Sequence, residues 1–65
     1  MKLRDLRKAK RLTQAELASR AGVTQHYIGA LERGEKKNPS VVVVKRLAKG
    51  LGVSIARVLE ALDEA

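Results

Sequence analysis

The 65-residue chain contains no cysteine, phenylalanine or tryptophan, and it has one tyrosine, one histidine and one proline. Without cysteine it has neither a disulfide framework nor a cysteine-ligated zinc site to supplement its core. A single aromatic ring also argues against the sets of stacking rings that bind single-stranded nucleic acid. Stability must therefore come from Leu, Val, Ile and Ala, a composition that favours short packed helices.

Long apolar segments are missing as well. No stretch approaches the ~18 apolar residues of a membrane span, and the N-terminus lacks the apolar block of a signal peptide. Acidic residues are few, because seven Asp and Glu face fourteen Lys and Arg, for a net charge of +7 and a pI near 10.4. This balance favours a polyanionic partner such as nucleic acid, although charge alone leaves membrane surfaces and an ordinary basic surface open. We expect a cytoplasmic protein of a prokaryotic cell or phage, without a membrane partner.

Helical spacing and capping signals organise the first part of the chain. Residues 1–11 alternate apolar and basic side chains at helical spacing, which predicts a first amphipathic helix. Its inward positions are Leu3, Leu6 and Ala9. Residues 13–16 then have the form of a capping box, in which the Thr13 hydroxyl accepts from the Glu16 N–H. A second helix should begin there and end at Gly22, which can adopt a left-handed conformation.

The next signal follows almost immediately. Only Val23 separates Gly22 from Thr24, a residue type that favours helix N-caps. A third helix must then leave the second at a sharp angle after a turn of about three or four residues. This is the arrangement of a helix-turn-helix over about residues 13–33, with Ile28 and Leu31 pointing inward.

The second half of the chain predicts two more helices. Pro39 makes Asn38 extended and leaves Ser40 as an N-cap. Four consecutive valines, residues 41–44, favour a strand by themselves, but the apolar pattern continues to residue 51 without a turn signal and therefore predicts a helix. Its inward positions are Val41, Val44, Leu47, Ala48 and Leu51.

After Gly52, the N-cap residue Ser54 predicts a fifth helix. Its apolar residues stand at i, i+3, i+4 and i+7, namely Ile55, Val58, Leu59 and Leu62. We find no internal repeat. The sequence therefore predicts one all-α domain of five helices over residues 1–65.

A set of short motifs, spread over nearly the full chain, carries a resemblance to a known family. The motifs are residues 12–18 (LTQAELA), 21–24 (AGVT), 27–28 (YI), 31–34 (LERG), 38–40 (NPS) and 51–54 (LGVS). In this combination the sequence closely resembles the lambda-repressor and Cro-like helix-turn-helix DNA-binding family. The resemblance implies that the third helix enters the major groove and reads base pairs with its N-terminal residues.

By position, the resemblance places four residues at or beside the base edges: Gln25, His26, Tyr27 and Ala30. The Gln25 amide offers a donor and an acceptor together, which match N6 and N7 of adenine. His26 is expected to contact a guanine or a phosphate, and Ala30 at most a thymine methyl group. Tyr27 either lies beside the DNA or packs on the edge of the core. A lone histidine in a chain without cysteine is a poor metal ligand, so neither a metal nor a cofactor is expected.

The resemblance also implies a set of contacts to DNA phosphates, which fix register and orientation. These residues are Gln14, Thr24, Arg33, Lys36, Lys37 and Asn38. The alternative for each lysine is an ordinary solvated charge, and we assign Lys2, Lys8, Lys45 and Lys49 to that class. Ser40 stands where some relatives carry an arginine that enters the minor groove, so minor-groove contacts are not expected.

Two further roles follow from the resemblance. Arg7 and Glu32 match an internal ion pair that ties the first helix to the end of the recognition helix. The last helix is the expected dimer element, with Val58, Ala61 and Leu62 as its candidate residues. Val42 lies opposite the core face of its own helix, where it is either an isolated surface valine or part of a partner surface.

Together these features predict a sequence-specific regulator of transcription, most simply a repressor. It would bind double-stranded DNA as a homodimer on a near-palindromic operator. The alternative is an antitoxin or adaptor that uses the same fold mainly to bind a protein. An enzyme is not expected, because the sequence shows no nucleophile motif and no phosphate-cradling glycine loop.

Overall fold

The computed structural model of the chain describes residues 2–36 and 38–64, and it contains five helices and no strand in those ranges. Its Cα atoms span 22 × 21 × 20 Å. The all-α, five-helix prediction is confirmed. The helices are α1 (Leu3–Ala9), α2 (Gln14–Ala21), α3 (Gln25–Glu32), α4 (Val41–Leu51) and α5 (Ile55–Asp63).

The predicted N-caps start four of these helices. In α2 the capping box is complete, because the Glu16 N–H donates to the Thr13 hydroxyl at 3.0 Å and the Thr13 N–H donates to the Glu16 carboxylate at 2.9 Å. Thr24, Ser40 and Ser54 each accept a hydrogen bond from the N–H three residues later. Side chains thus satisfy backbone donors that a helix start leaves without partners.

Two glycines end helices in the left-handed conformation. Gly22 and Gly52 both have φ 69° and ψ 32°, which an L side chain rarely adopts. The N–H of the valine that follows each glycine donates at 3.0 Å to a helical carbonyl, that of Ala18 in one case and that of Ala48 in the other. The turns that join α2 to α3 and α4 to α5 therefore have nearly the same backbone.

This likeness corrects the expectation of no internal repeat. Residues 17–24 (LASRAGVT) and 47–54 (LAKGLGVS) share four identical residues at matching positions, and the two segments end helices in the same way. The repeat covers only about eight residues and half of them differ. It becomes evident when the two backbone turns are compared.

The first helix is shorter than expected. It ends at Ala9, and Arg11 adopts φ 57°, a left-handed conformation unusual for a residue with a side chain. The N–H of Leu12 donates to the carbonyl of Arg7 at 3.2 Å and closes this turn. Ala9, predicted to face inward, is exposed because it lies at the end of the helix.

The core lies where all five helices meet. Contacts are most extensive between α2 and α3, between α2 and α4, and between α4 and α5. The seven largest side chains that are fully buried are Leu3, Leu17, Ile28, Leu31, Leu47, Leu51 and Val58. Arg7 is the charged residue buried with them among the described residues.

Three predicted core positions are wrong. Val41 is 69% exposed because it is the first residue of α4, one turn before Val44 enters the core. Ile55 and Leu59 are also exposed, since the buried line of α5 runs through Val58 and Ala61. None of the helices in the described ranges is both long and apolar enough to span a membrane.

Candidate nucleic-acid interface

The first turn of α3 points away from the rest of the protein. Thr24 caps the helix by accepting from the Tyr27 N–H at 3.1 Å, and the next two residues, Gln25 and His26, are exposed. Within the described ranges the Gln25 side chain has no hydrogen bond to the protein, so its amide donor and acceptor are both available. The helix start therefore presents polar groups to an outside partner.

Farther along α3 the residues predicted to lie near bases are less accessible. Tyr27 and Ala30 are half-buried, and Tyr27 packs against the core. The ammonium group of Lys36 lies 5.4 Å from the centre of the Tyr27 ring, a cation–π distance. The structure thus favours the second of the two interpretations of Tyr27, a ring on the edge of the core.

A hydrogen-bonded network ties the end of α3 to α1 and α2. The guanidinium of Arg7 donates to the two carboxylate oxygens of Glu32 at 2.6 and 3.1 Å, and to the carbonyl of Leu12 at 2.9 Å. The ion pair expected between Arg7 and Glu32 is therefore present. The Gln14 amide also donates to Glu32, at 3.1 Å, a contact that sequence reasoning missed.

A second ion pair lies just beyond α3, and sequence reasoning missed this pair too. Arg33 donates through Nε and Nη2 to the two carboxylate oxygens of Glu35, at 2.7 and 3.2 Å. The hydrogen bond from Arg33, and then its positive charge, hold the pKa of Glu35 below its usual range. Both side chains are exposed. Two charged residues separated by one position are a common pattern, so no sequence signal singled this pair out.

Cations lie on both sides of α3. On one side, an open groove of about 330 Å³ is lined by residues of α1, α2 and α3 together with Arg33. These residues are Arg4, Arg7, Lys8, Gln14, Gly29, Glu32 and Arg33. On the other side lie Lys36 and, beyond it, the exposed Asn38. Lys8, which we assigned to the solvated class, thus lies beside the candidate interface.

Comparison with known proteins identifies this arrangement. A model of the helix-turn-helix family matches residues 3–58. The chain belongs to the helix-turn-helix family of DNA-binding transcriptional regulators. The family resemblance seen in the sequence is confirmed.

Individual relatives agree with this assignment. The chain is 44% identical over 59 residues to the uncharacterized HTH-type transcriptional regulator y4dJ of Sinorhizobium fredii, covering 91% of this chain and 75% of that protein. It is 44% identical over 62 residues to an uncharacterized HTH-type transcriptional regulator of Methanothermobacter thermautotrophicus, covering 95% and 88%. It also resembles the crystal structure of the restriction-modification controller protein C.AhdI from Aeromonas hydrophila, with a TM-score of 0.80 and 39% identity over 86% of this chain and 83% of that chain.

For this helix-turn-helix chain, the structure places the remaining predicted phosphate contacts near α3. Thr24 and Lys36 are exposed, and the Ser40 hydroxyl caps α4 by accepting from the Val43 N–H at 3.2 Å. Lys37 lies outside the described residues. Gln14 is half-buried and its amide is already bound to Glu32, so its role is partly structural.

The dimer candidates need correction. Val58 and Ala61 are fully buried within the domain, because they form the inward line of α5, and so they are not available to a partner. Leu62 is partly buried. The apolar side chains that α5 does expose are Ile55 and Leu59. Leu59 and Leu62 also line an open groove of about 420 Å³ that includes Val44 and Pro39.

The described residues offer little to a metal ion. In the ranges 2–36 and 38–64, no group of three or more His, Asp or Glu side chains lies close enough to hold one. The exposed donors of the interface are amides, hydroxyls, an imidazole and cationic groups. These groups suit hydrogen bonds to base edges and phosphates.

Proposed function

We propose that the protein is a sequence-specific repressor of transcription that binds a near-palindromic operator as a homodimer. The observation that carries this proposal is the exposed first turn of α3, which presents Gln25 and His26 between two groups of cations. A helix of this kind fits the major groove, where each base pair shows a distinct pattern of donors and acceptors. Repression would follow from occupying a promoter.

Reading would be concentrated at the start of α3. The Gln25 amide is free to donate to N7 or accept from N6 of adenine in a bidentate contact, which is worth about 1–3 kcal/mol of discrimination. His26 would donate to a guanine or a phosphate. Ala30 is half-buried, so it contributes at most an apolar contact to a thymine methyl group.

The phosphate contacts would come from both sides of this helix. Thr24 and Gln14 lie at the starts of α3 and α2, and Lys36, Lys37 and Asn38 follow α3 in the chain. Such contacts set the position of the protein without selecting a sequence. Each one lost lowers the salt dependence of binding by about one unit of slope.

A homodimer is consistent with the size of the domain. Recognition helices of helix-turn-helix dimers lie about 34–36 Å apart, so each lies about 17 Å from the two-fold axis. A domain of 22 × 21 × 20 Å reaches that axis if the side opposite α3 or beside it forms the contact. The exposed Ile55 and Leu59 of α5, together with Leu62, are the apolar residues we propose for this contact.

Selection of bound sequences from random DNA tests the proposal. We expect a preferred site with two-fold symmetry and half-sites about 10–10.5 base pairs apart. Gln25→Ala should weaken binding to that site by about 1–3 kcal/mol more than binding to random DNA. Lys36→Ala should weaken both alike, and Lys49→Ala, which lies on α4, serves as the control. Equal losses on both DNAs from Gln25→Ala would exclude a reading role.

A second candidate function is binding to another protein, as an antitoxin or adaptor. The observation that favours it is the exposure of Val41 and Val42 at the start of α4, at 69% and 55%. If selection returns no preferred sequence while a protein partner is captured and Val42→Ser releases it, this function replaces the first.

A further inference from the structure

The position of Glu35 is unexpected for a DNA-binding surface. It is an exposed carboxylate two residues after Arg33 and beside the basic residue Lys36, in a segment that follows the recognition helix. A negative charge near a polyanion opposes binding by simple electrostatics. An exposed ion pair also adds little to stability. Neither folding nor attraction to DNA therefore explains this residue.

The geometry of the pair suggests another role. Glu35 binds one edge of the Arg33 guanidinium, formed by Nε and Nη2, through two hydrogen bonds. This leaves the second amino group, Nη1, free of Glu35. Paired contacts of this kind fix the orientation of the planar guanidinium, which a single contact does not.

Gly29 provides the space that Nη1 occupies. A Cβ atom on Gly29 would lie 3.0 Å from Arg33 Nη1 and 3.8 Å from the Nε2 atom of Gln14. The arginine side chain therefore folds back along α3 by one turn and covers the glycine. A larger residue at position 29 would displace it.

The same amino group borders a basic groove. Arg4 and Lys8 of α1 line this groove together with Gly29 and Arg33. The acidic residue there, Glu32, is neutralised by its ion pair with Arg7. An open groove with three uncompensated cationic side chains suits one phosphate group of a DNA strand.

We propose that Glu35 and Gly29 are positioning residues that hold the Arg33 guanidinium ready for one DNA phosphate. The proposal rests on the DNA-binding function proposed above and concerns the same surface. An arginine that is ordered before binding loses less side-chain entropy when it binds. The benefit is greatest in the operator complex, where the register of the phosphates is fixed.

Glu35→Gln tests the carboxylate. The substitution removes a negative charge, yet we expect it to weaken operator binding by about 2–10-fold, because Arg33 loses its anchor. Binding to random DNA should stay the same or tighten. Glu60→Gln on α5 makes the same change of charge away from α3 and should not weaken operator binding.

A double substitution separates positioning from general electrostatics. In an Arg33→Ala background there is no guanidinium to position, so Glu35→Gln should no longer weaken operator binding. There we expect a small gain on both DNAs, of about twofold, from the lost negative charge. The same substitution would thus have opposite effects in the two backgrounds.

Gly29→Ala tests the space. Arg33 Nη1 is the far end of a flexible, exposed side chain, so the fold can accept the methyl group. Alanine also favours a helix over glycine, and we expect the Tm to rise by roughly 4–8 °C. Operator binding should nevertheless weaken by about 2–10-fold as Arg33 is displaced. With Arg33→Ala present, the gain in Tm should remain and the loss of binding should disappear.

Two results would overturn the proposal. If Glu35→Gln tightens operator binding in the otherwise unchanged protein, Glu35 competes with DNA for Arg33 instead of positioning it. If Gly29→Ala leaves operator binding unchanged, the location of Nη1 is irrelevant. Failure of the underlying function is distinct, since it would appear as no operator preference in the unsubstituted protein.

Discussion

Two pairs of helices in this domain are joined in nearly the same way but present different surfaces. In both α2–α3 and α4–α5, a left-handed glycine is followed by valine and by a hydroxyl residue that caps the second helix. The glycine dihedral angles agree to the degree, and both valine N–H groups donate at 3.0 Å. The backbone of the turn thus does not distinguish the pairs.

The side chains of the second helix do distinguish them. After the first turn, α3 exposes Gln25 and His26, whereas after the second turn α5 exposes Ile55 and Leu59. The far end of α3 is held by the Glu32 ion pair, and the matching position in α5 is the apolar Leu62. The turn sets the direction of the helix, and the exposed residues decide which kind of partner it meets.

The largest effect should come from removing the ion pair that only the first helix pair has. Arg7→Ala leaves the Glu32 carboxylate largely buried without its cation, and we expect a loss of about 3 kcal/mol in the free energy of unfolding. Urea denaturation measures this loss. Amide exchange should show that α3 loses more protection than α5.

The control for this comparison is Arg33→Ala, which breaks the exposed pair with Glu35. Because that pair is solvated, its loss should change stability by less than about 1 kcal/mol. Similar losses from Arg7→Ala and Arg33→Ala would contradict the distinction between a buried and an exposed ion pair.

A smaller effect should be common to both pairs. Gly22→Ala and Gly52→Ala each force a side chain into a left-handed conformation, at a cost of about 1–2 kcal/mol. Thermal unfolding should therefore give similar losses for the two variants. Their DNA binding should differ, because only Gly22 sets the direction of α3, so the folded Gly22→Ala protein should bind operator DNA more weakly. Unequal stability losses would show that the two turns are not equivalent.

The smallest effect concerns the start of α2, where the capping box is complete. The N–H of Thr13, and then its hydroxyl, lower the pKa of Glu16 below 4.5. The charged carboxylate therefore stabilises the fold above about pH 4.5, and this contribution is lost as the pH falls through the lowered pKa.

An NMR titration of the Glu16 carboxyl group, with Tm values on both sides of pH 4.5, checks this prediction. Glu16→Gln should remove its share of the pH dependence. The start of α4 lacks an acidic residue in its first turn, so it should contribute no such slope. Titration of Glu16 at or above its ordinary value would disprove the assignment.

Much of the fold was predictable because its signals are local. The N-caps at Thr13, Thr24, Ser40 and Ser54 each depend on residues within one helical turn, as do the glycine ends at residues 22 and 52. Propensity and spacing also resolved the four valines as part of a helix. Such features need no knowledge of distant contacts.

The errors arise where distant packing decides. Helical spacing in α5 defined an apolar stripe, but the approach of α5 to the rest of the core selected Val58 and Ala61 for burial and left Leu59 outside. The end of α1 was missed because Arg11 adopts a conformation that its residue type disfavours. No local pattern reported either outcome.

The candidate site divides in the same way. The family motifs located Gln25, His26 and the Arg7–Glu32 pair, because these positions recur at fixed intervals. The Gln14–Glu32 contact, at a separation of 18 residues, and the anchoring of Arg33 by Glu35 depend on side-chain conformations. Those conformations follow from the three-dimensional arrangement around Gly29.

The exposed start of α3 also bears on how operator preference can evolve. Gln25 and His26 take no part in the core, and the cap that starts their helix belongs to Thr24, so other side chains can replace them at little cost to folding. A paralogue could acquire a new target sequence by exchanging these two residues alone. The same uncoupling would let an engineer retarget the domain while keeping its framework unchanged.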